Sequence, residues 1–174
     1  MEWLRSIDLI LAIQNISTPF LDLAMRGLSF LGSEFFYFAA LLFLYWSGKR
    51  SLAIRWMSVV LLSLYVNFLL KEAFEIPRPS GIHLRILETP EDFSFPSGHA
   101  QSSASFWFFL ALSYPKVFNF ILAGILVFLV SLSRLYLGVH YLGDVLFGAV
   151  LGFGFALSFT KLFSVFPKMI PFSW

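Results

Sequence analysis

Three clusters of polar residues interrupt an otherwise apolar chain, and their side chains suit anion binding and proton transfer. The first is Lys71, six residues, then Arg78-Pro79. Arg78 lies between Pro77 and Pro79, which disfavour helix and hold it extended, while Lys71 falls in the last turn of an expected helix. Cations also end membrane helices simply by snorkelling to headgroups, so this pair alone is ambiguous. The second cluster, Pro96-Ser97-Gly98-His99, opens an apolar segment. Ser97 suits an N-cap, and the first amides, with Gly98 allowing close approach, suit an anion at the positive end of a helix dipole. An ordinary helix start with an interfacial histidine would read the same way. The third is Ser133-Arg134, five residues, His140, three residues, then Asp144. On one helix His140 and Asp144 would stack at i,i+4. The carboxylate would then hold one ring nitrogen's proton and leave the other nitrogen as a nucleophile. A polar pair that only glues helices is the plainer alternative, but ionisable groups inside a membrane point to function by default.

The elements that must position these groups are helices in lipid. Of the 174 residues 59% are hydrophobic and only 13% charged, with a mean hydropathy of +0.82. Soluble domains carry about a quarter charged residues, so this chain lacks the polar surface to cover a water-facing globule. Its 23 Phe and five Trp suit lipid-facing surfaces and interfacial belts. Five stretches are apolar enough to span: 30–47, 54–73, 98–114, 117–135 and 140–163. The expected fold is an all-α, polytopic transmembrane helix bundle in one domain, 1–174. Residues 1–29 form interfacial N-terminal helices and residues 30–163 the catalytic bundle. A six-span version, with one of the first two helices crossing, stays open. Arg5, Asp8, Ala12 and Asn15 form one polar stripe on the first helix, as in a helix lying in the interface. In the second, Asp22 and Arg26 at i,i+4 are spaced to pair. Gly148, Gly152 and Ala156 extend the His140–Asp144 stripe with small residues suited to close packing.

Several classes are excluded. A net charge of +2 without a basic run does not suit nucleic acid. The absence of cysteine removes disulfides, thiolate nucleophiles and Cys-based metal sites. Met1 to Ile16 carries Glu2, Arg5 and Asp8 and does not read as a removable signal. His83 reads as an exposed loop histidine, and Glu88, Glu91 and Asp92 as a solvated loop surface. No metal or cofactor is expected.

Sidedness follows from Lys and Arg at the span ends. Lys49, Arg50, Arg55, Lys116, Lys161 and Lys168 mark one face; Lys71, Arg78, Arg85 and Arg134 mark the other, offset by Glu72, Glu75, Glu88, Glu91 and Asp92. Basic loops stay in the cytoplasm, so the loop from Glu75 to Pro96 should face outward. A ligand held by the clusters would then enter from the outer leaflet, between the third and fifth spans.

Together, K-x6-R-P, P-S-G-H and S-R-x5-H-x3-D resemble the signature of the type 2 phosphatidic-acid phosphatase superfamily, over roughly residues 67 to 155. Every fixed position is present, and the apolar flanks suit the membrane branch, with the small size of its bacterial type. The resemblance implies a lipid phosphatase of the cell (inner) membrane with an extracytoplasmic site. It implies that His140 attacks phosphorus to form a phosphohistidine and that Asp144 orients it. His99 would protonate the leaving group and then activate water. Lys71, Arg78 and Arg134, with Ser97 and the Gly98 amide, would clamp the phosphoryl oxygens. Phosphatidic acid, phosphatidylglycerol phosphate, undecaprenyl diphosphate and a lipid A phosphate all fit as substrates. A lipid phosphotransferase, or a non-catalytic transporter or scaffold on the same bundle, is the alternative. The implied partners are the bilayer and the lipid, with no obligate protein partner.

Overall fold

The computed structural model describes residue 4 and residues 6–165. Glu2, Arg5 and Lys168, which entered the sequence readings above, lie outside the described residues. Regular structure among the described residues is helical: α1 Asp8–Gln14, α2 Pro19–Phe30, α3 Glu34–Trp46, α4 Arg50–Phe74, α5 Gly98–Ser113, α6 Val117–Tyr136 and α7 Leu142–Val165. Three of these, α4, α6 and α7, are each long and apolar enough to cross a membrane.

The expected first span, 30–47, is broken. Ser33 caps a new helix, its Oγ accepting from the Phe36 amide at 3.3 Å. The α3 that follows has 13 residues, about 20 Å of helix, too short for a hydrocarbon core of about 30 Å. Together α2 and α3 pass the same length and composition test as a pair bent by 52°. Gly32 sits at the bend because nothing larger fits: a Cβ there would lie 2.5 Å from Val130 Cγ1 and 3.3 Å from His99. The bend is thereby pressed against α5 and α6.

At the centre is α5, which has 16 residues, about 24 Å of helix. Residues 100–106 are all buried, so neighbouring helices and not lipid cover its first two turns. Tyr37 and Trp56 stack on Phe106 with ring centroids 4.8 and 4.7 Å away, tying α3 and α4 to α5. The small-residue stripe of α7 packs against α5. A Cβ on Gly148 would come within 2.6 Å of the Ser97 carbonyl, and one on Gly152 within 2.8 Å of Ala104 Cβ. That seam brings α5 and α7, the third and fifth expected spans, into close contact at Gly148 and Gly152.

On α1, Asp8, Ala12 and Asn15 are exposed, in keeping with the polar stripe. The helix is held by a residue outside that stripe. Gln14 is buried, donates to the carbonyls of Arg85 and Tyr136 at 2.8 Å each, and accepts from the Arg85 amide. Asp22 and Arg26 do not pair with each other as their spacing suggested. Asp22 instead takes Arg85 at 2.7 Å and the Tyr136 hydroxyl at 2.5 Å, while Arg26 donates to the Leu87 carbonyl. Long-range partners outcompete an i,i+4 pair worth only about 0.5 kcal/mol. Gly138, at φ +74°, completes this corner, where a Cβ would collide with the Arg85 carbonyl.

Candidate active site

One end of the bundle collects the three clusters. A cavity of about 370 Å³ is lined by Lys71, Arg78, Gly98, His99, Arg134 and His140 together. The last turn of α4 supplies Lys71, the extended exit after Glu75 supplies Arg78, and α5 begins at Gly98. Arg134 comes from the last turn of α6, and His140 from the turn before α7. Each group is delivered by a helix end or by the segment next to one, where backbone direction changes and side chains converge.

His140 is not on the same helix as Asp144, as the i,i+4 spacing suggested. Helix α7 starts at Leu142, and Asp144 sits in its first turn. Its carboxylate accepts from the Tyr141 amide at 2.9 Å and from the Ser94 hydroxyl, which satisfies an N-terminal donor and fixes the turn. His140 Nδ1 then lies 3.5 Å from Asp144 Oδ2 and 3.5 Å from Ser94 Oγ. The pairing survives by way of the turn. On its other side, His140 Nε2 lies 3.2 Å from Arg78 Nη1. A guanidinium only donates, so Nε2 must present its lone pair and Nδ1 must carry the proton. The ring is thus held in the tautomer whose lone-pair nitrogen faces the cations.

Arg78 is held by three further contacts. Its Nη1 donates to the Val139 carbonyl at 2.7 Å, its Nε to the Asp92 carbonyl at 2.8 Å, and its Nη2 to the Asp92 carboxylate. Lys71 reaches the same carboxylate at 3.1 Å and donates to the Phe93 carbonyl. Arg134, 2% exposed, donates to Ser29 Oγ at 2.5 Å and to Glu88 at 2.7 Å, with its Nε left unpartnered. His99 rests against Gly32 and lines the cavity with no side-chain hydrogen bond to a described residue.

Two expectations need correction. Glu88 and Asp92 are not simply a solvated loop surface; both line the cavity and are ion-paired to its cations, whereas Glu91 and His83 are exposed. Burial works to raise the Asp92 carboxyl, but Lys71 and Arg78 outweigh it and hold it below the usual carboxylate range. Ser97 precedes α5 but makes no side-chain cap. Its hydroxyl is buried without a partner and is not in the cavity wall, so only Gly98 of that pair reaches it.

With this geometry in hand, the relatives are informative. The model of the PAP2 superfamily matches residues 52–167. The chain belongs to the PAP2 superfamily. It is 34% identical to phosphatidylglycerophosphatase B of Bacillus subtilis over 79% of this chain and 72% of that one. It is 31% identical to lipid phosphate phosphatase delta of Arabidopsis thaliana and 33% identical to human sphingosine-1-phosphate phosphatase 2, over 84% and 70% of this chain. It spans only 39% and 32% of those two longer proteins. A crystal structure of a transmembrane PAP2-type phosphatidylglycerolphosphate phosphatase from Bacillus subtilis matches with a TM-score of 0.80 at 30% identity, covering 95% of this chain and 87% of the other. LpxE of Aquifex aeolicus matches at 0.73 and 28% identity, covering 90% and 95%.

This PAP2 chain also carries a supporting layer that the motif spacing does not mark. Asn67, buried on α4 one turn before Lys71, donates to the Pro96 carbonyl at 3.2 Å and to Gln101 at 2.8 Å. Gln101 in turn donates to the Ser63 carbonyl at 2.7 Å, and Ser63 is bonded by Ser105 at 2.8 Å. The chain of bonds locks the start of α5 to α4 and so sets Gly98 and His99 relative to Lys71. Amide side chains inside apolar spans were its sequence signal. Ser94 had no such signal, being an ordinary loop serine until the fold sets it against Asp144.

Proposed function

We propose that the protein is an integral-membrane lipid phosphatase that hydrolyses a phosphomonoester or diphosphate through a phosphohistidine. The observation that carries this reading is one cavity holding three cations and two histidines, with a lone-pair nitrogen of His140 facing the cations. The phosphoryl oxygens sit among Lys71, Arg78, Arg134 and the Gly98 amide. Nε2 of His140 forms a bond to phosphorus as the ester P–O bond breaks, and His99 delivers a proton to the leaving oxygen. Asp144, steadied by Ser94, balances the charge gained by the His140 ring. In the second step His99 takes a proton from water, whose oxygen displaces Nε2 and releases phosphate. Fixed cations suit a transition state that spreads charge over three oxygens.

The lipid tail has a defined path. Glu34, Phe35 and Leu64 line both the phosphate cavity and an apolar groove of about 390 Å³ between α3 and α4, which continues along Phe38, Leu41, Met57 and Leu61. A substrate lying there keeps its tail in the bilayer while its phosphate meets the cations. In this reading the bent α2–α3 pair, α4, the sheltered α5, α6 and α7 make five crossings. The cationic cavity opens outward, because Lys49, Arg50, Arg55 and Lys116 hold the opposite end in the cytoplasm.

Purified protein should release phosphate from phosphatidic acid, phosphatidylglycerol phosphate, undecaprenyl diphosphate or a lipid A phosphate, and EDTA should leave the rate unchanged. Loss of activity in EDTA, or transfer of phosphate only to a second lipid, would replace this reading.

A further inference from the structure

The cations of the cavity are already occupied by the protein's own carboxylates. Asp92 bridges Lys71 and Arg78, and Glu88 pairs with Arg134, so each cation proposed to hold phosphate has a carboxylate on it. Both carboxylates line the cavity with the cations. They come from the loop between α4 and α5, with Pro90 between them.

The backbone around them is pinned at other points. Ser94 N donates to the Ile76 carbonyl at 2.8 Å, Leu87 N to the Leu137 carbonyl at 3.0 Å, and Arg78 Nε to the Asp92 carbonyl at 2.8 Å. Lys71 also holds the Phe93 carbonyl. When the carboxylates leave, Lys71 and Arg78 therefore keep backbone anchors and Arg134 keeps the Ser29 hydroxyl. The carboxylates themselves are 54% exposed at Asp92 and 30% exposed at Glu88, which leaves them room to swing outward.

Resting on the phosphatase reading above, we propose that Glu88 and Asp92 are internal stand-ins for phosphate that set a charge threshold for the substrate. Among the paired groups, three cations less two carboxylates leave one positive charge at rest. A phosphomonoester brings about −1.5 to −2, enough to replace both carboxylates without leaving extra cations unpaired. A phosphodiester lipid brings a single negative charge and leaves two cations uncompensated in a cramped cavity. The loop thus keeps the abundant monoanionic diesters of the bilayer out of a clamp that would otherwise bind any phosphate. Glu34 lines the same cavity without pairing with any of these cations.

Calorimetric titration of the detergent-purified full chain with inorganic phosphate and with dimethyl phosphate tests this. The variants are Glu88→Gln, Asp92→Asn and the pair; both residues are partly exposed, and each single variant guards against misfolding of the double. Wild type should bind phosphate and exclude dimethyl phosphate. Each substitution should tighten phosphate binding by about fivefold, as expected for removing a partly exposed ion pair, and the double variant should take up dimethyl phosphate. In proteoliposomes, phosphatidylglycerol should inhibit the double variant competitively and leave wild type unaffected. Unchanged or weaker phosphate binding in the variants, or wild type binding both anions alike, overturns the proposal. A fall in kcat with phosphate affinity unchanged would make Glu88 and Asp92 positioning residues instead, and also overturns it. If wild type binds phosphate but hydrolyses no lipid, the phosphatase reading fails while the titration still decides the threshold.

Discussion

Two cationic clusters sit at opposite ends of the same helix, and they do different things with their charge. Lys71 and Arg50 lie about 32 Å apart along α4. At the Arg50 end, Lys49, Arg50 and Arg55 line a cavity of about 580 Å³, larger than the one at the Lys71 end. Its arginines stack on aromatic rings, Arg50 on Tyr45 at 5.5 Å and Arg55 on Phe163 at 5.4 Å. Among the described residues, no histidine or carboxylate lines it. At the Lys71 end, cations from three elements meet two histidines and three carboxylates. Size and positive charge therefore do not distinguish a reaction site from a membrane anchor. Groups able to bond to phosphorus and to move protons do.

The contrast breaks most sharply at His140, the nucleophile of the proposed reaction. His140→Ala should reduce phosphate release at least about ten-thousandfold, as when a covalent nucleophile is deleted, and acid-labile phosphate should be trapped on wild type at His140. Trapping on His99 would reassign the roles. The clamp comes next. Arg78→Ala or Arg134→Ala should lower kcat/KM by about a hundredfold or more through loss of charge stabilisation. Arg55→Ala, at the other end, should change it by less than about twofold. Equal losses at both ends would mean that the two clusters act together.

A smaller effect separates glycines that hold the site's scaffold from those that do not. Gly152→Leu should destabilise the bundle by about 2 kcal/mol or more, because α5 backbone and Ala104 leave no room. Gly154→Ala faces open space and should be neutral or stabilising by up to about 1 kcal/mol. Thermal unfolding in one detergent distinguishes them. The mildest perturbation tests sidedness. With no native cysteine, an impermeant thiol reagent should label Glu91→Cys in intact cells, or in spheroplasts where an outer membrane is present, and spare Arg50→Cys. The opposite pattern would turn the cationic cavity toward the cytoplasm.

What the sequence determined by itself was local or periodic. Apolar runs announced α4, α6 and α7, and prolines around Arg78 announced an extended exit. The small residues at Gly148, Gly152 and Ala156 marked the face that would pack closest. Fixed spacings placed Lys71, Arg78, Gly98, His99, Arg134 and His140 at helix ends, where one cavity gathers them. The tertiary structure decided what depends on distant partners. The bend at Gly32 needs glycine because Val130 and His99 crowd it, and neither is near in sequence. Asp22 prefers Arg85 and Tyr136 to Arg26 because two long-range partners, one of them the buried Tyr136, outweigh a single surface pair on one helix. Ser94 steadies Asp144 across 50 residues of chain, and Gln14 fastens α1 by bonds spanning 71 and 122 residues. Glu88 and Asp92 read as solvated from their neighbours in the loop; both stay partly exposed, and only the folding of that loop over Lys71, Arg78 and Arg134 pairs them with those cations. Spacing along a helix constrains direction, but ion pairs and close approaches are set by which surfaces meet, and that is a property of the whole fold.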